Sequence, residues 1–278
     1  MDWGKTLMWV AGIGCLLGLI IWVGVIRYIP RLPVHNKALN LDRYEIIDLT
    51  HAFDEETLYW PTSASRFELE QISYGQTEAG YFYAANTFCM PEHGGTHLDA
   101  PIHFAEGKHA VEQIPLTKLM GPAVVLDVSA KTEYNPDYQL TIKDVEAFEE
   151  LHGKIAPNSI ILLYTGWSHF WPDAKRYMGD DKLDDVSKFH FPSYGPEAAR
   201  FLISKRNVSA LGVDTASIDI GQSKDFMVHQ ITMAANVPAF ENLTNLDQLS
   251  ATGTTVIALP MKIKGGSGSP LRAVALIP

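Results

Sequence analysis

The segment His93-Gly-Gly-Thr-His97-Leu-Asp99-Ala-Pro-Ile-His103 constrains this chain more than any other stretch. Three of the chain's ten histidines fall in it, with an aspartate, two glycines and a proline. Glycine and proline make the segment tightly turned, so side chains close in sequence can converge. His97 and Asp99 stand two apart, which puts both on one side of an extended segment. His93 reaches the same point across the Gly94-Gly95 turn. Imidazole and carboxylate suit Zn²⁺, Mn²⁺ or Fe²⁺, so the segment predicts a divalent-metal site. A hydrogen-bonded histidine cluster under a loop would leave the aspartate and the glycines without a reason.

The rest of the chain supplies a scaffold for such a segment. Short β-branched runs at Tyr44–Leu49, Ala123–Val128, Ser159–Tyr164, Ala210–Val213, Thr254–Leu259 and Ala273–Ile277 read as strands. Thr141-Ile-Lys-Asp144 opens a helix with a capping box, and Pro196–Lys205 and Met227–Asn236 read as two more. Strands outnumber helices and the two interleave, which predicts a mixed α/β, strand-rich single domain with a curved or barrel-like sheet. Gly265–Ser269 reads as a flexible loop between two strands. The chain has 278 residues, ample for one such core. Its net charge of −10 excludes nucleic acid as the main partner, since phosphate binding needs a basic face. Two cysteines, Cys15 and Cys89, imply no disulfide framework, and Cys89 reads as a small buried hydrophobe.

The N-terminus stands apart. Thr6 to Ile26 carries no charge and is flanked by Lys5, Arg27 and Arg31. Such a run matches the roughly 20 apolar residues of a membrane-spanning helix, with Trp9, Trp22 and Tyr28 near its ends. The expected organisation is a transmembrane anchor at 1–29, a linker at 30–40 and a catalytic domain at 41–278. The short head with one lysine is that of a signal-anchor exporting its domain to the periplasmic side. Arg27, Arg31 and Lys37 point instead to the cytoplasmic side by the positive-inside rule.

The histidine segment resembles the signature His-x-Gly-Thr-His-x-Asp-x-Pro-x-His of the cyclase-like metal-dependent hydrolases, a family that includes kynurenine formamidase and isatin hydrolase. Further along, Tyr59-Trp60-Pro61, Thr165-Gly166-Trp167 and the Gly212-Val-Asp214-Thr-Ala-Ser217-Ile-Asp219 segment are similar to the family's pattern. So is His229, followed by Glu241-Asn242-Leu243. The resemblance covers most of residues 44–260 and implies a swivelling β/β/α fold. It implies that His93, His97 and Asp99 hold one metal ion, with Asp99 bridging to a second ion held by His229 and Glu241. His103 would move protons rather than bind metal, and Trp60 would line the substrate pocket. It further implies one or two ions of Zn²⁺ or Mn²⁺ per chain and a homodimer or larger assembly. The segment Phe170–Tyr194 is an insertion like that of the larger members, isatin hydrolase among them.

These readings lead to one expected function. The protein hydrolyses a C–N amide bond, in an aryl formamide or a cyclic amide, on a small molecule. A bound divalent ion brings the pKa of water to about 7. A histidine with an ordinary pKa near 6.5 suits proton transfer to the leaving nitrogen. The alternatives are a lactone or ester hydrolase on the same centre and a metal-binding protein without turnover.

Overall fold

Short, mostly aliphatic runs form the central strands, because strands covered on both faces need no polar alternation. Residues 40–180 and 185–278 are described by a computed structural model. The strands are β1 (Glu45–Asp48), β2 (Glu68–Gln76), β3 (Phe82–Cys89), β4 (His97–Asp99), β5 (Met120–Asp127) and β6 (Gln139–Leu140). They continue with β7 (Ile160–Tyr164), β8 (Ser193–Tyr194), β9 (Ala210–Val213), β10 (Ala239–Glu241), β11 (Thr254–Pro260) and β12 (Gly268–Ile277). The α-helices are α1 (Ser129–Thr132), α2 (Ile142–His152), α3 (Ala174–Met178), α4 (Pro196–Phe201) and α5 (Met227–Ala234). Helix α2 begins as its capping box predicts: Thr141 Oγ1 accepts from the Asp144 N–H, and the Asp144 carboxylate accepts from the Thr141 N–H.

Seven strands close a ring in the order β12, β11, β5, β7, β9, β10, β4 and back to β12. β5, β7, β9 and β10 run parallel, and the other ring pairings are antiparallel. β1 lies outside the ring, antiparallel to β12. Alternation along the strands divides the core in two. Leu98, Val125, Ile160, Leu162, Phe240 and Ala275 fill the ring. Leu126, Ile161, Leu163, Leu211 and Val213 face outward, under Val145 of α2, Ala198 of α4 and Val228 of α5. Burial of each such Ile or Leu contributes about 1.5–3 kcal/mol, so these two layers fix the ring that carries the site.

A third apolar cluster belongs to the inserted segment. Tyr177, Met178, Phe189 and Phe191 pack with Leu58 and Trp167, and Trp60 lies against them. β2 and β3 form a separate two-stranded ribbon.

The expectation of a mixed α/β domain with a curved or barrel-like sheet joined to a transmembrane helix is corrected at the helix. The fold is mixed α/β around a closed seven-stranded barrel. Among the described residues no helix is long and apolar enough to cross a membrane. The anchor at 1–29 and all but the last residue of the linker lie outside the described residues. The membrane anchor is therefore withdrawn, and with it the periplasmic or cytoplasmic placement.

Candidate metal centre

Two very short strands bring the acidic ligands together. β4 and β10 pair antiparallel, with His97 opposite Glu241. Directly opposed residues project to the same face, and His97 and Asp99 share that face by period two. Leu98 and Phe240 point into the ring, so His97, Asp99 and Glu241 point out of it, toward α5. His229 comes from that helix. His93 arrives across the turn before β4. Gly95 has φ +57°, and a Cβ there would lie 2.3 Å from the Phe53 ring, so no other residue type makes this turn without displacing Phe53. On the far side, β12 pairs Gly268 with Asp99, and a Cβ on Gly268 would lie 2.4 Å from the His93 ring.

The five side chains form two sets that share Asp99. Asp99 Oδ1 lies 2.6 Å from His93 Nδ1 and 3.1 Å from His97 Nε2. Its other oxygen, Oδ2, lies 3.0 Å from His229 Nε2. Glu241 Oε1 is 3.3 Å from His229 Nε2, and Oε2 is 3.6 Å from His97 Nε2. In the sets His93–His97–Asp99 and Asp99–His229–Glu241, the donor atoms all lie within 4.8 Å of one another. Tetrahedral ligands at about 2.0–2.1 Å from a zinc ion stand about 3.3 Å apart. All but the His93–Asp99 contact fall near that spacing, so the residues fit a divalent ion.

Charge supports the same fit. Burial raises the Glu241 carboxyl, and the nearby Asp99 charge raises it further. Burial would also raise Asp99, but His93, His97 and a hydrogen bond with His229 hold it well below the usual carboxylate range. Burial opposes a charge on His97, yet Asp99 and Glu241 push it up to about 9. His229 is raised well above its ordinary value despite burial, by hydrogen bonds to Asp219, Asp99 and Glu241. Two buried carboxylates thus call for positive charge beside them. Protons on His97 and His229 meet that demand by occupying the imidazole lone pairs, whereas a divalent cation meets it by using them.

Three supports around the ligands were not assigned from sequence. Asp219 accepts from His229 Nδ1 at 2.7 Å and from the backbone N–H groups of Val228 and His229. It therefore orients the ring and caps the start of α5 at once. A carboxylate shortly before a helix is the signal that marks it. Ser267 Oγ lies 2.9 Å from His93 Nε2 and donates to Glu92 Oε2. The glycine-rich stretch read as a flexible loop thus holds a candidate ligand. The Gly95 carbonyl accepts from His97 Nδ1 at 3.0 Å, which leaves Nε2 as the face turned to Asp99.

The ligand sets form the floor of a cavity of about 300 Å³. Leu58, Trp60, Phe104, Met178 and Phe226 supply its apolar wall. Trp60 stands edge-on to Phe189 and Phe226. His103 also lines the cavity but belongs to neither ligand set. Its ring stacks on His93 at 3.9 Å, and burial brings its pKa down to about 4. The parts of the expected site, Trp60 included, therefore meet in one place. Cys89 does not join them: it is exposed at the end of β3 rather than buried. His51, unassigned from sequence, stacks on Trp171 at 4.4 Å. His190 pairs with Asp137.

Comparison with known proteins bears on what this geometry belongs to. The family model described as "Putative cyclase" matches residues 47–220. The chain is 31% identical to isatin hydrolase of Roseibium aggregatum over 84% of its own length and 92% of the relative's. It is 25% identical to kynurenine formamidase of Salinibacter ruber, covering 82% of this chain and 96% of that one. The structure of isatin hydrolase A from Ralstonia solanacearum superposes with a TM-score of 0.78 at 34% identity, over 85% of this chain and 93% of the other. An isatin hydrolase bound to the product analogue thioisatinate gives a TM-score of 0.78 at 29% identity, over 85% and 94%. With the family model matched along most of the chain and relatives aligned over nearly their full length, the protein belongs to the putative cyclase family and is an amidohydrolase.

Proposed function

We propose that this protein opens the C–N bond of a neutral cyclic amide joined to an aromatic ring, with a divalent ion held by His93, His97, Asp99, His229 and Glu241. The observation that carries the reading is the pair of ligand sets sharing Asp99 on the floor of an aromatic-walled cavity, with His103 beside both and part of neither. A divalent cation there supplies Lewis-acid activation of a water and of the substrate carbonyl. The residues of the chain do the rest. Asp99, with one oxygen toward each set, would serve both, and these residues would hold one or two ions of Zn²⁺ or Mn²⁺. Trp60, Phe104 and Phe226 flank the flat ring of the substrate and exclude water from it.

His103 handles the proton. At pH 7 its lowered pKa leaves it neutral, with a lone pair open to the proton of the attacking water, and makes the protonated ring a strong donor toward the departing nitrogen. It then gives that proton to the departing nitrogen as the C–N bond breaks. The water oxygen stays on the carbonyl carbon as a carboxyl group, whose second proton passes to solvent to leave the carboxylate, and in a cyclic amide both halves remain in one product. A His103→Ala variant is expected to keep its metal and lose about a hundredfold or more in kcat.

The cavity wall distinguishes the two substrate types suggested by the relatives. Among the described residues that line it there is no lysine or arginine. A substrate with a free amino-acid carboxylate would bury that charge without a partner, which is costly. The neutral ring of isatin carries no such charge. The test is kcat/KM of the metal-loaded protein for isatin and for N-formylkynurenine. The reading expects isatin to lead by about tenfold or more, as the loss of one buried charge pairing implies. A lead for N-formylkynurenine would refute the neutral-lactam assignment.

A further inference from the structure

Tyr177, a fully buried tyrosine of the inserted segment, is chained by hydrogen bonds to the candidate ligand His97. It is 0% exposed, and its Oη lies 2.9 Å from Asn242 Oδ1 and 3.2 Å from the Asp214 carbonyl. Asn242 Nδ2 donates to the Gly95 carbonyl at 2.8 Å. That fixes the amide orientation: Oδ1 is left to accept, and at 2.9 Å against 3.2 Å for the Asp214 carbonyl it is the nearer acceptor of the phenol proton. The Gly95 carbonyl has two lone pairs, and it takes the second donor from His97 Nδ1.

The chain is rigid at each joint. Asn242 sits at φ +54°, a conformation that asparagine tolerates better than most residues. Thr96 Oγ1 donates to its carbonyl at 2.6 Å. Tyr177 is tied once more to the barrel end: its own carbonyl accepts from Trp167 Nε1, and the Trp167 N–H in turn donates to the Asp214 carboxylate.

We propose that Tyr177 is a positioning residue: through Asn242 and the Gly95 carbonyl it holds the His97 ring in its Nδ1–H tautomer with Nε2 aimed at the metal. The proposal rests on the reading of this cluster as a metal centre. It also gives the insertion a role apart from shaping the cavity, because an element outside the barrel then governs a ligand on the barrel wall. Outer partners of a metal ligand typically set affinity by about 10–100-fold.

The test uses the full chain, stripped of metal, as wild type, Tyr177→Phe and Tyr194→Phe. Tyr194 is the control: it is equally buried, and its hydroxyl donates to the Gly212 carbonyl at 2.8 Å, away from the ligand chain. Zn²⁺ affinity is read by calorimetric titration, the Co²⁺-substituted absorption spectrum reports ligand geometry, and ¹⁵N NMR reports the His97 tautomer. Tyr177→Phe is expected to weaken Zn²⁺ binding about tenfold or more, shift the Co²⁺ bands and mix the His97 tautomers. Tyr194→Phe is expected to lower thermal stability and leave all three unchanged. If Tyr177→Phe matches wild type in the three readouts, or Tyr194→Phe changes them equally, the proposal is overturned. A wild type that binds no metal would overturn the metal reading instead, and loss in Tyr177→Phe of the hydrogen bond from His97 Nδ1–H to the Gly95 carbonyl, read by ¹⁵N NMR, would then decide the relay alone. Should Tyr177→Phe not fold, the near-isosteric Asn242→Asp removes the donor to Gly95 and is expected to give the same three changes.

Discussion

Asp99 turns one oxygen toward His93 and His97 and the other toward His229, so each neighbour matters by where it holds its ring. Gly268 shows this most plainly. Alanine there would place a methyl 2.4 Å from the His93 ring, and the ring would have to leave Asp99. Gly268→Ala is expected to fold and to bind Zn²⁺ about tenfold or more weakly by titration; unchanged affinity would exclude His93 as a ligand. His51 makes a prediction about pH. Burial lowers its pKa from 6.5 to about 4, and its Nε2 has no hydrogen-bond partner among the described residues. The folded state therefore binds fewer protons than the unfolded one between those values. Stability is fully present above pH 6.5 and falls as pH drops toward 4. Between pH 7 and 4.5, wild type is expected to lose about 2 kcal/mol more in urea unfolding than His51→Phe does. Equal losses would contradict it.

At the scale of elements, α5 begins where Asp219 takes two of its backbone N–H groups and the ring of His229 together. Asp219→Asn is expected to weaken metal binding about 10–100-fold while the barrel stays folded, measured by titration and by circular dichroism. Wild-type affinity would mean that the helix alone aims His229. The legibility of the elements follows from their length and their faces. β5, β7, β9 and β11 are runs of branched apolar residues and could be read directly. β4 and β10 have three residues each, too few for any period to register. The ribbon of β2 and β3 is largely exposed on both faces, so it has no apolar alternation to find. The candidate ligands His93, His97 and Asp99 were legible by residue type and spacing, whereas His229 and Glu241 came only from the family resemblance. Ser267 was not, because it meets His93 across 174 positions of sequence, through a strand pairing that no local pattern announces. Asp219 stood in a quoted motif, but its role depends on the start of a helix several residues later.

At the scale of the molecule, that ribbon has a consequence of its own. Leu69, Ile72, Tyr74, Tyr81, Phe82, Tyr83 and Phe88 are each half or more exposed. Isolated two-stranded ribbons are marginal in water. With about 150–250 Å² on each aromatic side chain, this one presents on the order of 600–800 Å² of apolar surface, close to the roughly 800 Å² per partner of a standard interface. We expect the chain to pair with a second copy through it. Light scattering should give a dimer that Tyr74→Lys combined with Phe88→Asp converts to monomer, and a monomeric wild type would count against this.

The account as a whole depends on one residue serving both ligand sets. The direct measurement is bound metal and isatin hydrolysis together, in wild type and Asp99→Ala, after equilibration with Zn²⁺ or Mn²⁺. Wild type is expected to hold metal and turn over isatin. Asp99→Ala is expected to lose its bound metal and about a thousandfold or more of its activity. An Asp99→Ala protein that kept both its metal and its rate would contradict the account.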